Sequence, residues 1–118
     1  MILLDTHVLV WVAVEPRRLS RAAASAIRRA TAADGLAIAS ITLWELAFLF
    51  GRGRLRTHGT IEASIERLLA ATGVAVKEIT PAVAALSMQF ADDFPGDPAD
   101  RLIAATARAE GLALATAD

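Results

Sequence analysis

Four carboxylates, far apart along the chain, carry the chemistry that this sequence could perform. They are Asp5, Glu45, Asp100 and Asp118. Carboxylates held within a few ångströms raise one another's pKa, so a cluster of them needs a counter-charge, which a divalent cation supplies. Ligation by oxygen alone favours Mg²⁺ or Mn²⁺, and such an ion acidifies a bound water and stabilises charge on a phosphoryl oxygen. The expected chemistry is metal-assisted phosphodiester hydrolysis, provided that the fold brings the four residues together.

Short apolar runs alternate with helical segments along the chain and are the candidates for strands. The runs are MILL at 1–4, LAIA at 36–39, VAVKEI at 74–79 and LALAT at 112–116. The segment THVLVWVAV after Asp5 fits a helix or a strand, because its branched residues leave the type open. The other helices have N-cap or N1-proline signals at Ser20, Ser40, Thr60, Thr80-Pro81 and Asp97-Pro98. This alternation predicts a three-layer α/β/α sandwich with a mainly parallel central sheet.

The predicted topology determines where the carboxylates lie. In a parallel sheet with right-handed crossovers all strands end at one edge, and open α/β folds bind their ligands there. Asp5 directly follows the first strand, and Asp118 lies two residues beyond the last. Glu45 is near the start of the helix after LAIA, and Asp100 is in the first turn of the helix that precedes the fourth strand. We therefore expect the four carboxylates to converge on one rim of the sheet.

Each of these acids also has a plain structural explanation when it is taken alone. Asp5 and Asp97 could be N-caps, and Asp100 could complete a capping box or interact with the helix dipole. Glu45 lies in a largely apolar helix and could be held by a buried partner such as an arginine. Asp118 could simply be solvated. The expected convergence of the four carboxylates on one rim favours a functional role for them. Asp97 is interpreted as a helix cap.

Basic and aromatic residues close to the predicted rim are the next candidates. A loop carries three arginines that could contact phosphate or could be solvated: Arg52, Arg54 and Arg56. Trp11 and Trp44 could stack on bases, but each lies in an apolar run, which favours packing in the core or in an interface. His7 could face the rim or be a structural residue.

Composition limits the possible classes of protein. The 118 residues are 55% hydrophobic, which is enough for one domain over residues 1–118. The absence of cysteine excludes a disulfide scaffold, a thiolate zinc site and a cysteine nucleophile. No uncharged apolar run approaches the ~18 residues of a membrane span, and no signal peptide is visible, so a cytoplasmic protein without a membrane segment is expected. The net charge of -1 conceals a basic first half and an acidic second half, which fits a polyanion partner or merely reflects genome composition.

Three separated segments together resemble the PIN-domain ribonucleases, specifically the VapC-type toxins of bacterial toxin–antitoxin pairs. They are LLDTHVLVW, IASITLWELAFLFGRGRL and DPADRLIAATARAEGLALATAD. The resemblance covers nearly the whole chain and matches the family's four acids to Asp5, Glu45, Asp100 and Asp118. It implies an endoribonuclease toxin, dependent on Mg²⁺ or Mn²⁺, that cuts structured or single-stranded cellular RNA and so slows translation. Asp5 and Asp100 would ligate the metal most directly, and Arg52, Arg54 and Arg56 remain the candidates for contact with RNA on the basis of their charge.

The family resemblance also implies partners and one departure. Its members form homodimers and are silenced by a small VapB antitoxin. Family chains usually continue past the fourth acid with a short helix and a last strand, so a PIN-like domain truncated at the C-terminus, without its C-terminal strand, is expected. A second hypothesis is a non-catalytic α/β protein-binding module that acts through dimer or partner contacts. A phosphatase with Asp5 as nucleophile ranks lower, because no second acid lies two residues on.

Overall fold

Strands and helices alternate along residues 1–90 and 96–117, which are the residues described by the computed structural model. Among these residues the strands are β1 (Ile2–Leu4), β2 (Leu36–Ala39), β3 (Ala75–Lys77) and β4 (Ala113–Ala115). The α-helices are α1 (Thr6–Val14), α2 (Arg21–Ala32), α3 (Ile41–Gly51), α4 (Ile61–Thr72), α5 (Pro81–Ser87) and α6 (Pro98–Glu110). The segment whose type the sequence left open is therefore the helix α1.

The four strands form one parallel sheet in the order β3-β2-β1-β4. Leu4 at the end of β1 is paired with Ile38 on one side and with Ala115 on the other. The expected parallel sheet is thus confirmed. Because β1 lies between β2 and β4, the residues that follow these three strands emerge at the same edge.

The two faces of the sheet bury different side chains. Leu4, Leu36 and Ile38 belong to a core cluster that also includes buried residues of α1, α2, α3 and α4. Leu3, Ala37 and Ala39 belong to a second cluster on the opposite face, which α6 covers; α5 packs against α6. This arrangement confirms the three-layer sandwich. No helix in the described ranges has the length and apolar character needed to cross a membrane.

Most helix ends follow the signals in the sequence. Three predicted N-caps accept a hydrogen bond from the N–H three residues on: Ser20, Thr60 and Thr80. Gly73 and Gly111 end α4 and α6 at φ 66°, in the left-handed region that favours glycine. Helix α5 ends at Ser87, so the apolar residues after it do not extend the helix.

The predicted cap at Ser40 is wrong. Ser40 has α-helical backbone angles, and its side chain makes no capping hydrogen bond. A capping side chain reaches the N–H groups of the first turn only from an extended backbone, which Ser40 does not have. Its own N–H donates to the carbonyl of Lys77 at 2.8 Å, so this residue joins the start of α3 to the end of β3.

Candidate active site

Asp5 connects the end of β1 to the start of α1 and to the segment after β4. Its Oδ1 accepts a hydrogen bond from the N–H of Val8 at 2.9 Å, so the N-cap interpretation is confirmed. Its Oδ2 accepts from the N–H of Ala117 at 3.0 Å, and its own N–H donates to the carbonyl of Ala115 at 3.0 Å. One carboxylate therefore caps a helix and holds two neighbouring strand ends together at the predicted rim. The other acid expected beside it, Asp118, lies outside the described residues.

Glu45 on α3 is held by a chain of hydroxyl groups. The Oγ1 of Thr6 lies 2.5 Å from Oε1 of Glu45 and 3.0 Å from Oγ1 of Thr42. Because an ionised carboxylate only accepts, the Thr6 hydroxyl donates to Glu45 and receives its own hydrogen bond from Thr42. The partner of Glu45 is thus a hydroxyl and not the arginine considered from the sequence. The chain links the second turn of α3 to the first turn of α1.

This pair of threonines was missed at the level of sequence. Thr6 is 3% exposed and Thr42 is fully buried. The available signal was positional: Thr6 directly follows Asp5, and Thr42 precedes Glu45 by three residues, which places both on one side of a helix. A buried hydroxyl needs a hydrogen-bond partner, and each threonine finds it in the other.

Several charges act on the Glu45 carboxyl. Burial is the largest effect and raises its pKa, and the hydrogen bond from Thr6 opposes that rise. The negative charges of Asp97 and Asp100 raise the pKa further, whereas His7 lowers it. Two of the four predicted acids, Glu45 and Asp100, are therefore close enough to interact electrostatically. The N-terminus of α6 faces this part of α3.

The start of α6 presents its two acids in different roles. Oδ1 of Asp97 accepts hydrogen bonds from the N–H of Ala99 at 2.8 Å and from the N–H of Asp100 at 3.4 Å, which confirms Asp97 as the N-cap. Asp100 is in the first turn of the helix and is exposed. The cap interaction thus fixes the backbone from which the Asp100 carboxylate projects.

A cavity of about 250 Å³ opens beside Glu45. It is lined by Thr6, His7, Trp44, Glu45, Phe48, Leu49, Arg54 and Asp97. Trp44 is 63% exposed, so of the two expected kinds of packing the core is excluded for this residue, and packing in an interface stays a prediction. Thr42, Leu46 and Phe50 form the buried face of α3, and Trp44 lies on the opposite side of the helix. His7 is exposed at the cavity, so the structural interpretation of this histidine is wrong as well.

The three loop arginines lie in different surroundings. Arg54 lines the cavity beside Glu45, and the guanidinium of Arg52 lies 4.9 Å from the centroid of the Phe48 ring. Arg56 instead lines a second cavity of about 380 Å³, together with Val14, Phe50 and other residues of α1, α3 and α4. One predicted arginine, Arg54, is therefore beside the acids, Arg52 lies against Phe48, and Arg56 belongs to a separate, largely apolar surface.

The side chains at this rim differ in number and type from those of a metal site enclosed by protein. Within residues 1–90 and 96–117, no group of three or more His, Cys, Asp or Glu side chains could hold a metal. Mg²⁺ demands less than this, because it keeps several waters and uses only one or two carboxylates directly. The acids at this rim offer oxygen ligands only, which is the donor type that Mg²⁺ and Mn²⁺ prefer. The donor set fits a hydrated ion better than an ion enclosed by protein ligands.

The chain is similar to known proteins along almost its whole length. The family model of the PIN domain matches residues 2–118. Ribonuclease VapC22 from Mycobacterium tuberculosis (strain ATCC 25618 / H37Rv) is 44% identical over 117 residues, an alignment that covers 99% of this chain and 86% of the relative.

Solved structures share the fold at lower sequence identity. The VapBC2 complex from Rickettsia felis, bound to a DNA fragment from its promoter, superposes with a TM-score of 0.68 at 18% identity and covers 100% of both chains. A toxin–antitoxin complex from Klebsiella pneumoniae has a TM-score of 0.63 at 22% identity and covers 97% of this chain and 83% of the other. Together with the match over residues 2–118, these similarities show that the chain belongs to the PIN domain family.

Proposed function

We propose that this protein is a ribonuclease toxin of the VapC type, which hydrolyses phosphodiester bonds in cellular RNA and is neutralised by a VapB-like antitoxin. The observation that carries the proposal is the set of acids at the carboxyl edge of the sheet. Asp5 follows β1, Thr6 beside it holds Glu45, and the charge of Asp100 acts on Glu45 from α6. The 44% identity to Ribonuclease VapC22 supports the same activity.

The proposed mechanism gives each acid a separate task. Asp5 and Asp100 would hold Mg²⁺ or Mn²⁺, which when bound supplies an acidified water and stabilises charge on the phosphoryl oxygen. The Thr6 hydroxyl occupies Oε1 of Glu45, so Oε2 is the oxygen that would accept a hydrogen bond from the attacking water. Asp118 is proposed as the fourth acid from its position two residues beyond the fourth predicted strand and from the family resemblance.

The proposed partners follow from the relatives. Two structural neighbours are toxin–antitoxin complexes, which supports a VapB-like antitoxin as the partner of this chain. A homodimer is proposed from the family resemblance. The cytoplasm is the proposed place of action, because the RNA that such a toxin would cut is there.

Cleavage of labelled RNA by the purified protein tests the proposal. We expect cleavage that needs Mg²⁺ or Mn²⁺ and stops with EDTA. Removal of one group that stabilises transition-state charge typically costs about 100-fold or more in rate, and we expect this loss for Asp5→Asn, Asp100→Asn and Glu45→Gln. Asp34→Asn is the matched control, because Asp34 is exposed and forms its ion pair with the N-terminus.

Two results would contradict the proposal. Unchanged cleavage by Asp5→Asn or Asp100→Asn would remove these residues from the site. Absence of Mn²⁺ binding in calorimetry at millimolar metal, together with absence of cleavage, would favour the alternative of a non-catalytic binding module.

A further inference from the structure

Helix α3 presents a row of three side chains to the solvent. Trp44, Phe48 and Arg52 follow one another at four-residue intervals and so lie along one side of the helix. Trp44 is 63% exposed and Phe48 is 41% exposed. The two ring centroids are 6.0 Å apart with a 32° tilt, and the Arg52 guanidinium lies 4.9 Å from the Phe48 centroid. We call these three residues the aromatic row.

The aromatic row contributes little to the core of the chain. Thr42, Leu46 and Phe50 make the buried face of α3. Exposed aromatic rings side by side leave apolar surface in water, which is costly and is typical of binding surfaces. Burial within the described chain does not explain the two rings, so this side of α3 is a candidate binding surface.

The aromatic row is continuous with the candidate catalytic acid. Trp44 and Phe48 line the same cavity of about 250 Å³ as Glu45 and Arg54. Neither Arg52 nor Arg54 forms a salt bridge with a carboxylate in the described part of the chain, so both charges are available to an anion. The depression thus combines two flat apolar rings, the positive charge of Arg54 and a carboxylate, and Arg52 lies beside it against Phe48.

We propose that Trp44 and Phe48 form a stacking platform for unpaired bases next to the scissile phosphate, with Arg52 and Arg54 contacting neighbouring phosphates. The inference rests on the proposed ribonuclease function and assigns residues outside the acid cluster to the binding of its RNA. Bases in a duplex are covered on both faces by their neighbours, whereas an unpaired base exposes a face that can stack on an aromatic side chain. Arginine charge complements the phosphates of such a strand.

Tryptophan fluorescence tests the platform directly. The chain contains two tryptophans, so Trp11→Phe leaves Trp44 as the sole reporter. A short single-stranded RNA and the same sequence as a duplex are titrated into this variant in buffer with EDTA, in which we expect no cleavage. We expect the single strand to quench Trp44 and the duplex to leave its emission unchanged.

Substitutions within the aromatic row measure how much stacking contributes to the affinity for single-stranded RNA. Loss of one stacked base costs about 1–3 kcal/mol by alanine substitution, so Trp44→Ala and Phe48→Ala each weaken single-strand binding by about 5- to 150-fold. Trp44→Phe retains a ring and keeps most of the affinity. Arg54→Ala lowers the slope of log affinity against log salt by about 0.7, the value for one phosphate contact on a single strand. Trp11→Phe is the matched control, since Trp11 pairs with Arg18 outside this cavity.

Two results would overturn the platform. Single-strand affinities unchanged by Trp44→Ala and Phe48→Ala would show that no base stacks there. If Trp44→Ala and Phe48→Ala instead convert a dimer to a monomer in sedimentation and leave RNA affinity intact, the aromatic row forms a contact between two copies of the chain. Cleavage by the unsubstituted protein is measured separately, so RNA hydrolysis without stacking would reject the platform and leave the ribonuclease function standing.

Discussion

Replacing Thr6 by valine tests the hydroxyl chain that holds Glu45. Valine keeps the shape of the side chain but loses the 2.5 Å bond to Glu45 and the 3.0 Å bond to Thr42. A neutral hydrogen bond contributes about 1 kcal/mol, and one to a charged group about 1.5–3 kcal/mol, with the lower value apt for a half-exposed carboxylate. The hydroxyl of Thr42, which is fully buried, is also left without a partner. We expect the free energy of unfolding to fall by about 3 kcal/mol.

A double-mutant cycle separates this explanation from a general packing defect. Thr42→Val alone leaves Thr6 bound to Glu45 and should cost about 1 kcal/mol. In the double variant no hydroxyl is orphaned, so its loss should be smaller than the sum of the single losses by about 1–2 kcal/mol. Thr6→Ser keeps the donor and serves as the control.

Equilibrium urea unfolding followed by circular dichroism measures these differences, with the slope of unfolding free energy against urea unchanged among the variants. Losses that add to within about 0.5 kcal/mol would refute the hydroxyl chain, because uncoupled sites behave in that way. The same substitution should raise the pKa of Glu45 further, since the hydrogen bond from Thr6 lowers it. The acid limb of the cleavage profile would then move to higher pH.

Three further changes test the rim. Asp5→Asn can keep the N-cap through Oδ1 but loses the bond from Ala117, because its amide nitrogen cannot accept a hydrogen bond. We expect a loss of about 1 kcal/mol in urea unfolding for Asp5→Asn and about 2 kcal/mol for Asp5→Ala; equal losses would contradict the double contact. Burial raises the folded-state pKa of Glu45, so ionisation of this residue destabilises the fold as the pH rises through that pKa. In metal-free buffer at about pH 8, Glu45→Gln should therefore unfold at a higher urea concentration than the parent. At about pH 4, where Glu45 is protonated, the substitution should bring no gain in stability. Asp97→Ser keeps the helix cap, so the free energy of unfolding should change by less than about 0.5 kcal/mol. Metal-dependent cleavage should persist in this variant, and its loss would make Asp97 part of the acid cluster.

Local signals were sufficient for most of the fold. Residues 36–39 are a continuous apolar run and form β2 as predicted, because a strand buried on both faces needs no alternation. Thr60 and Gly73 bound α4 as their backbone preferences require. The alternation of strands and helices then predicted that the residues after the strands share one rim, because all strands of a parallel sheet end at the same edge.

The parts that sequence reasoning missed depend on distant geometry. Thr6 and Thr42 are 36 residues apart, and their contact depends on the angle at which α1 and α3 meet. In α3 hydropathy is misleading, because Thr42 is fully buried while Trp44 is largely exposed. A helix that is apolar on nearly all sides does not reveal which side faces the core.

The bond between Asp5 and Ala117 makes assembly of the site a late event in folding. Its two residues are separated by 112 positions, and β4 joins the sheet beside β1 across a similarly long separation, with Ile2 paired to Ala113. Closing so large a loop is slow compared with the nearer pairing of β1 with β2. During synthesis the N-terminal part of a chain emerges and folds first. We therefore expect a nascent chain to pair β1 with β2 before residues 115–117 can order the Asp5 carboxylate, so that the site is completed after the sheet has begun to form.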